Sequence, residues 1–250
     1  MTRSRQAAAD SPPPSTEAYG VASSARNNAT RPSPGSRSPV TSVTWPTVSS
    51  SSRPSPRTAT CKTGVLRDLD KAIEDPAAVL ATNTSSIPVV DLAVVTERPE
   101  RVIGLHFFNP VPVQQLVEVI PSLVTGADTV RRTRGFAEQL GKQAIQAPDR
   151  SGFVVNALLV PYLLSAVRMV ESGSARPDDI DRGMELGCAH PMGPLRLLDL
   201  IGLDTAQAVA ESMYEEYKEP LYAPPALLRR MVAAGHLGRK SGRGFHTYDS

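Results

Sequence analysis

VIGLHFFNPVPVQQLVEVI, residues Val102–Ile120, holds two short apolar runs parted by a proline-punctuated loop. Val102–Phe107 and Leu116–Ile120 are too short and too rich in β-branched residues for helices, and the prolines between them interrupt any helical continuation. Both runs read as strands. Each carries one polar residue where its neighbours are apolar: His106 near the end of the first, with Asn109 just beyond it, and Glu118 in the middle of the second.

The flanks supply the rest of a layered fold. Lys62–Glu74 places Val65, Leu66, Leu69 and Ile73 on one face of a helix, and Ala77–Thr82 is a buried strand opening into the polar loop Asn83, Thr84, Ser85 and Ser86. Val89–Thr96 follows Pro88 as a helix. Asp128–Lys142 is a further helix, with Thr125 or Asp128 at its cap and Gly141 near its end, and Gln143–Ala147 is one more strand. Alternating strands and helices predict a parallel α/β sheet. From Gly152 the pattern is helical only: Phe153–Glu171, Asp178–Leu186, Leu195–Ile201, Thr205–Tyr217 and Pro225–Ala234. The expected organisation is a segment 1–61, an α/β region 62–149 and an all-helical domain 150–250.

Residues 1–60 differ in kind. They contain 14 Ser, 9 Pro, 8 Thr and 7 Arg, two acids (Asp10 and Glu17), and no Leu, Ile, Phe or Lys. Such a segment cannot bury enough apolar surface to offset the entropy of ordering its backbone, so disorder is expected. Its charge is 7 − 2 = +5, and the remaining residues carry 20 − 23 = −3, which gives the +2 of the whole chain. The basic balance therefore resides in the tail, and residues 61–250 offer no nucleic-acid surface. Cys61 and Cys188 form neither a metal spacing nor a disulfide framework, which suits a reducing, cytoplasmic interior. No run of 18 apolar residues spans a membrane and no apolar core marks a secretory signal. The tail has the Ser- and Arg-rich composition of a transit peptide, but Pro12–Pro14, Pro32 and Pro34 would break the amphipathic helix such peptides need.

Four polar side chains are candidates for chemistry: Ser85, His106, Glu118 and Asn156. Singly, each has an ordinary explanation as a turn residue, a packed imidazole, an outward-facing strand residue or a local hydrogen-bonding amide. Together they suit the oxidation of a secondary alcohol. A histidine can take the hydroxyl proton, a carboxylate can fix its tautomer and stabilise the imidazolium, and Ser and Asn donors can hold the developing carbonyl oxygen. Sequence alone does not show that the four converge.

NTSSIPV at Asn83–Val89, GLHFFNPVPVQQLVEVI at Gly104–Ile120 and GFVVNALLVPYL at Gly152–Leu163 resemble the 3-hydroxyacyl-CoA dehydrogenase family. So do HPMGPLRLLDLIGLDT at His190–Thr205 and GRKSGRGFHTY at Gly238–Tyr248, and the likeness runs from Lys62 to Ser250. The resemblance implies a Rossmann-like sheet with a helical substrate-binding and dimerisation domain. It also implies NAD as cofactor (NADP being open) and an acyl-CoA substrate, best matched by the 3-hydroxybutyryl-CoA type. In that light His106 is the general base, Glu118 its orienting carboxylate, and Ser85 and Asn156 contact the substrate oxygen. Ser85 also lies near the nicotinamide, Asn109 binds the nicotinamide end, and Lys62 and Lys240 lie near the cofactor.

One part of the family pattern is missing. No G-x-G-x-x-G and no apolar strand to precede one occur before Lys62, so the glycine-rich half of the nucleotide domain is not written there and the Rossmann-like sheet is incomplete. Ser50–Thr60, put into GC-rich codons and read one base out of step, can give Leu-Val-Val-Glu-Ala-Val-Ala-Glu-Asp, similar to the family's strand at this point. Residues 1–61 are therefore expected to be an out-of-frame translation. The alternative to an active oxidoreductase is an inactive truncated or frameshifted product that keeps only the acyl-CoA-binding and dimerisation module.

Overall fold

Two layers of packing, one on each face of a small sheet, fix the first half of the molecule in a computed structural model of the chain. The structure describes residues 43–44, 56–84 and 87–249, with side chains from Lys62 onward. In chain order the sheet half comprises β1 (Val43–Thr44), α1 (Pro56–Ala72), β2 (Val79–Thr82), α2 (Val89–Ala93), β3 (Val102–Phe107), β4 (Leu116–Ile120), α3 (Ala127–Gln139) and β5 (Gln143–Gln146). The helical half comprises α4 (Val155–Glu171), α5 (Pro177–Cys188), α6 (Pro194–Ile201), α7 (Leu203–Tyr217) and α8 (Ala226–Ala233). α1 starts before Lys62, and β1 falls inside the segment expected to be disordered. The reading-frame expectation otherwise concerns residues outside the described ones.

The strands lie in the order β1-β2-β3-β4-β5. β1, β2 and β3 are parallel, β3 and β4 antiparallel, and β4 and β5 parallel. The sheet is thus mixed rather than parallel throughout. The cause is the short connection at residues 108–115, since a parallel crossover needs about a dozen residues or more. That connection is braced from α3's far end, where the Lys142 ammonium donates to the carbonyls of Val111 and Gln114.

Alternation along the strands sorts the core. Leu80, Val102 and Ile120 point to the face covered by α1 and α2, where Leu66, Val89, Leu92 and Phe153 close over them. Val79, Ala81, Ile103, Leu105, Val117 and Val119 point to the other face, against Ala137 of α3. Each large aliphatic side chain buried this way contributes about 1.5–3 kcal/mol. α3 is not capped by Thr125 or Asp128. Gly126 occupies that position, because the Thr125 hydroxyl is committed to the Val102 carbonyl and Asp128 pairs with Arg101. α1 ends on Arg98, which pairs with Asp70 and donates to the carbonyls of Asp70, Ile73 and Asp75.

Buried leucines hold the helical half together, among them Leu163, Leu164, Leu195, Leu198, Leu203 and Leu228. Two buried aspartates organise its end. Asp181 of α5 accepts the Leu195 and Arg196 amides at the start of α6 and also bonds the His246 ring. Asp199 of α6 accepts the Phe245 and His246 amides and the Tyr248 hydroxyl, so the C-terminal GRGFHTY strap is wound around one carboxylate. Burial, and then the Asp199 carboxylate, push the Tyr248 phenol up to about 12.

Two outcomes are expected. A Cβ at Gly104 would lie 2.9 Å from both Ile120 Cβ and Val89 Cγ2, so Gly104→Val should cost about 1–3 kcal/mol in urea denaturation. Asp199→Asn should bring the Tyr248 ionisation back toward that of an ordinary phenol, read as an ultraviolet difference titration against the unaltered protein. An unchanged titration would show that burial alone sets the shift.

Candidate functional site

Antiparallel pairing decides where the polar residues meet. The register sets Gly104 opposite Ile120 and His106 opposite Glu118, so the two polar side chains stand side by side on the α1–α2 face. The Nδ1–H of His106 donates to Oε2 of Glu118 at 2.8 Å. Glu118 is fully buried and His106 is 6 % exposed. Since a carboxylate can only accept, the imidazole proton is fixed on Nδ1 and Nε2 is left as the basic nitrogen.

The second carboxylate oxygen, Oε1, accepts the backbone N–H groups of Val154 and Val155, each at 3.0 Å. These amides open α4, where helical N–H groups lack partners of their own and the helix dipole favours a negative charge. Burial acts to raise the Glu118 pKa, but the hydrogen bonds from His106, Val155 and Val154 outweigh it and hold the carboxyl below the usual glutamate range. Glu118 therefore sits ionised between the sheet and the first turn of the helical half.

The chain reaches that turn through two left-handed residues, Gly152 (φ 87°) and Phe153 (φ 49°). Glycine takes this conformation freely, whereas a residue with a Cβ gives up about 1–2 kcal/mol to do so. Met213 and the Ala157 amide crowd the space a Gly152 side chain would need. The Phe153 ring is itself buried and lies 5.3 Å from the His106 ring, with Phe108 edge-on to that ring at 4.9 Å. Just upstream, Asp149 accepts the Val89 and Val90 amides of α2. Glu216 of α7 accepts from Arg150 and Ser151. The linker 149–155 is thus tied to α2, α7 and Glu118 in succession.

The other candidates are placed as follows. Asn156 is half-buried at the second position of α4, directly after the amides that hold Glu118. Asn109 is exposed beyond the carboxyl end of β3 and begins a cis peptide bond to Pro110. Asn83 accepts the Phe107 amide at 3.3 Å, which joins the carboxyl ends of β2 and β3. Ser85 lies outside the described residues. Lys62 is half-buried in α1, and burial lowers its pKa. The Lys240 ammonium is held by both carboxylate oxygens of Asp204, at 2.5 and 2.7 Å. The structure brings together His106, Glu118 and the first turn of α4, and it commits Lys240 to α7. Asp149 and Phe153 are not among the residues that the sequence singled out; the polar PDRSG run at 148–152, ahead of an apolar helix, is the signal for them.

Comparison with known proteins gives concordant results. The family model described as "3-hydroxyacyl-CoA dehydrogenase, NAD binding domain" matches residues 56–150, and that described as "3-hydroxyacyl-CoA dehydrogenase, C-terminal domain" matches 152–248. The chain is 60% identical over 188 residues to 3-hydroxybutyryl-CoA dehydrogenase of Mycobacterium tuberculosis, covering 75% of this chain and 66% of that protein. It is 43% identical over 188 residues to the human mitochondrial hydroxyacyl-coenzyme A dehydrogenase, covering 75% of this chain and 60% of that one. Its fold is similar to the crystal structure of (S)-3-hydroxybutyryl-CoA dehydrogenase from Ralstonia eutropha, with a TM-score of 0.74 at 47% identity over 76% of this chain and 67% of that one. The chain spans 66% and 60% of the length of these two curated relatives, less than two thirds of each. With both family models matched in order along residues 56–248 and the His106–Glu118 pair assembled within them, this chain belongs to the 3-hydroxyacyl-CoA dehydrogenase family.

Proposed function

We propose that the chain transfers hydride between NAD and a 3-hydroxyacyl-CoA/3-ketoacyl-CoA pair, 3-hydroxybutyryl-CoA being the substrate its relatives' names favour. The observation that carries this reading is the buried hydrogen bond between His106 and Glu118. His106 accepts the proton of the substrate's 3-hydroxyl at Nε2, and Glu118 stabilises the imidazolium that forms. Asn156, on the turn that holds Glu118, and Ser85, which follows β2 in the sequence, are the donors for the substrate oxygen. NAD, when bound, takes the hydride from the same carbon.

The carboxyl ends of β2 and β3, joined through Asn83, form the side of the sheet where α/β proteins seat such cofactors. Asn109 stands there for the nicotinamide end. Lys62 belongs to the same cofactor side, because α1 runs down toward the start of β2 and its first turns therefore lie toward the strands' carboxyl ends. A role for Lys240 at the cofactor would have to share its charge with Asp204. We place the protein in the cytoplasm as a homodimer formed through its helical half, without nucleic-acid or membrane partners. Among the described residues no helix is long and apolar enough to cross a membrane. The inactive-product alternative is the less favoured, since both family models match and the acid–base pair is complete.

Full-length protein given acetoacetyl-CoA and NADH should oxidise NADH, followed by absorbance, and His106→Gln should lower the rate by about 10²–10⁴. Absence of turnover in the folded unaltered chain would support the inactive product, and turnover untouched by His106→Gln would remove the base from the mechanism. The Glu118 pair also has a pH signature. A depressed carboxyl pKa contributes stability that is full above the usual glutamate value of 4.5 and is lost as pH falls through the depressed value. Urea denaturation of the unaltered protein and Glu118→Gln should therefore differ most near neutral pH and converge on acidification. A constant difference would mean that the carboxylate's charge is not what stabilises the pair.

A further inference from the structure

We propose that Phe153 is a positioning residue for the His106–Glu118 pair, setting the imidazole with its ring and the carboxylate with its backbone. This rests on the reading of His106 as the base.

Two independent contacts meet at this one position. The ring lies 5.3 Å from the imidazole at an interplanar angle of 58° and is 6 % exposed, so it packs beside His106 and limits rotation about the Cβ–ring bond. With Phe108 at 4.9 Å, the imidazole is gripped by two aromatic rings while its Nδ1–H faces Glu118. The backbone at Phe153 is left-handed, and the next two N–H groups, of Val154 and Val155, are those that hold Oε1 of Glu118. A left-handed conformation at a non-glycine residue persists only where its surroundings over-determine it. Here the surroundings are visible. Arg150 and Ser151 are tied to Glu216, Asp149 to α2, the Phe153 amide donates to the Arg150 carbonyl, and the Ala157 amide to the Gly152 carbonyl. The buried Phe153 side chain, packed with Leu66, Leu80 and Ile120, anchors the turn from the sheet side. Removing the ring therefore loosens both partners of the pair: the imidazole loses a wall, and the amides lose the anchor that aims them.

The test reads the hydrogen bond itself. The chain has four histidines, at 106, 190, 236 and 246, so nitrogen-15 NMR of the imidazoles can be assigned with His106→Gln. In the unaltered full-length protein, His106 should appear as the Nδ1–H tautomer with a slowly exchanging ring proton. Phe153→Leu keeps an apolar side chain with a Cβ at this position but removes the ring. It should accelerate exchange of that proton at least about tenfold and admit the other tautomer, while Phe153→Tyr restores the original signature. Phe153→Met serves as the second variant should Leu prevent folding, with circular dichroism to certify the fold. A folded Leu or Met variant that keeps the slow Nδ1–H and a single tautomer overturns the proposal. Because the readout is independent of turnover, an unaltered chain with the signature but no NADH oxidation counts against the proposed reaction and not against the role of Phe153. Loss of turnover in Phe153→Leu with the signature intact would also overturn it.

Discussion

A single carboxylate, Glu118, is the point through which the two halves of this molecule become one site. One oxygen accepts the Nδ1–H of His106 from the neighbouring strand, and the other accepts the amides of Val154 and Val155 at the start of α4. A fully buried carboxylate without partners is among the costliest things a fold can contain. Three donors from two elements make it tolerable, and they also orient everything around it: the imidazole tautomer, the direction in which α4 leaves the sheet, and the position of Asn156 one residue further on. The favourable end of the helix is aimed at the charge that the imidazolium form of His106 would need.

The surrounding packing serves that placement. Gly104 lets α2 and β4 approach β3 closely, so that the strand carrying His106 sits deep. Lys142 fixes the loop between β3 and β4 by its carbonyls. Asp149 ties the linker to α2, and Glu216 ties it to α7. In the helical half the same device recurs with Asp181 and Asp199, each a buried carboxylate satisfied mainly by backbone amides. In this protein buried acids act as joints between segments, and Glu118 is the joint that also meets the imidazole of His106.

Much of this was legible in the residues. The strands at Val102–Phe107 and Leu116–Ile120 have the bounds their apolar runs implied, and the five long helices after Gly152 follow the 3.6-residue periodicity to within a few residues. Convergence of His106 and Glu118 was not read from periodicity, because alternating strands and helices suggested parallel pairing throughout. The information was nonetheless present. A connection of residues 108–115 is too short for a crossover, and an antiparallel pair centred on Pro112 puts 106 opposite 118 just as it puts 104 opposite 120. What no local pattern reveals is a tertiary cap: Asp149 on α2, Asp181 on α6 and Thr125 on Val102 are bonds between residues 14 to 60 positions apart, decided by packing and not by neighbours in sequence.

The ties along 149–155 bear on how the molecule is assembled in time. During synthesis the sheet half emerges first, carrying Glu118 with only one of its two sets of donors. Until α4 arrives, Oε1 must either keep water around it or take up a proton, and the bond to His106 lacks the support that α4 later gives the carboxylate. The donor set of Glu118 is thus completed by the arrival of the second half of the chain. A polypeptide that stopped short of Val155 would display the strand pair with a carboxylate only half supplied with donors.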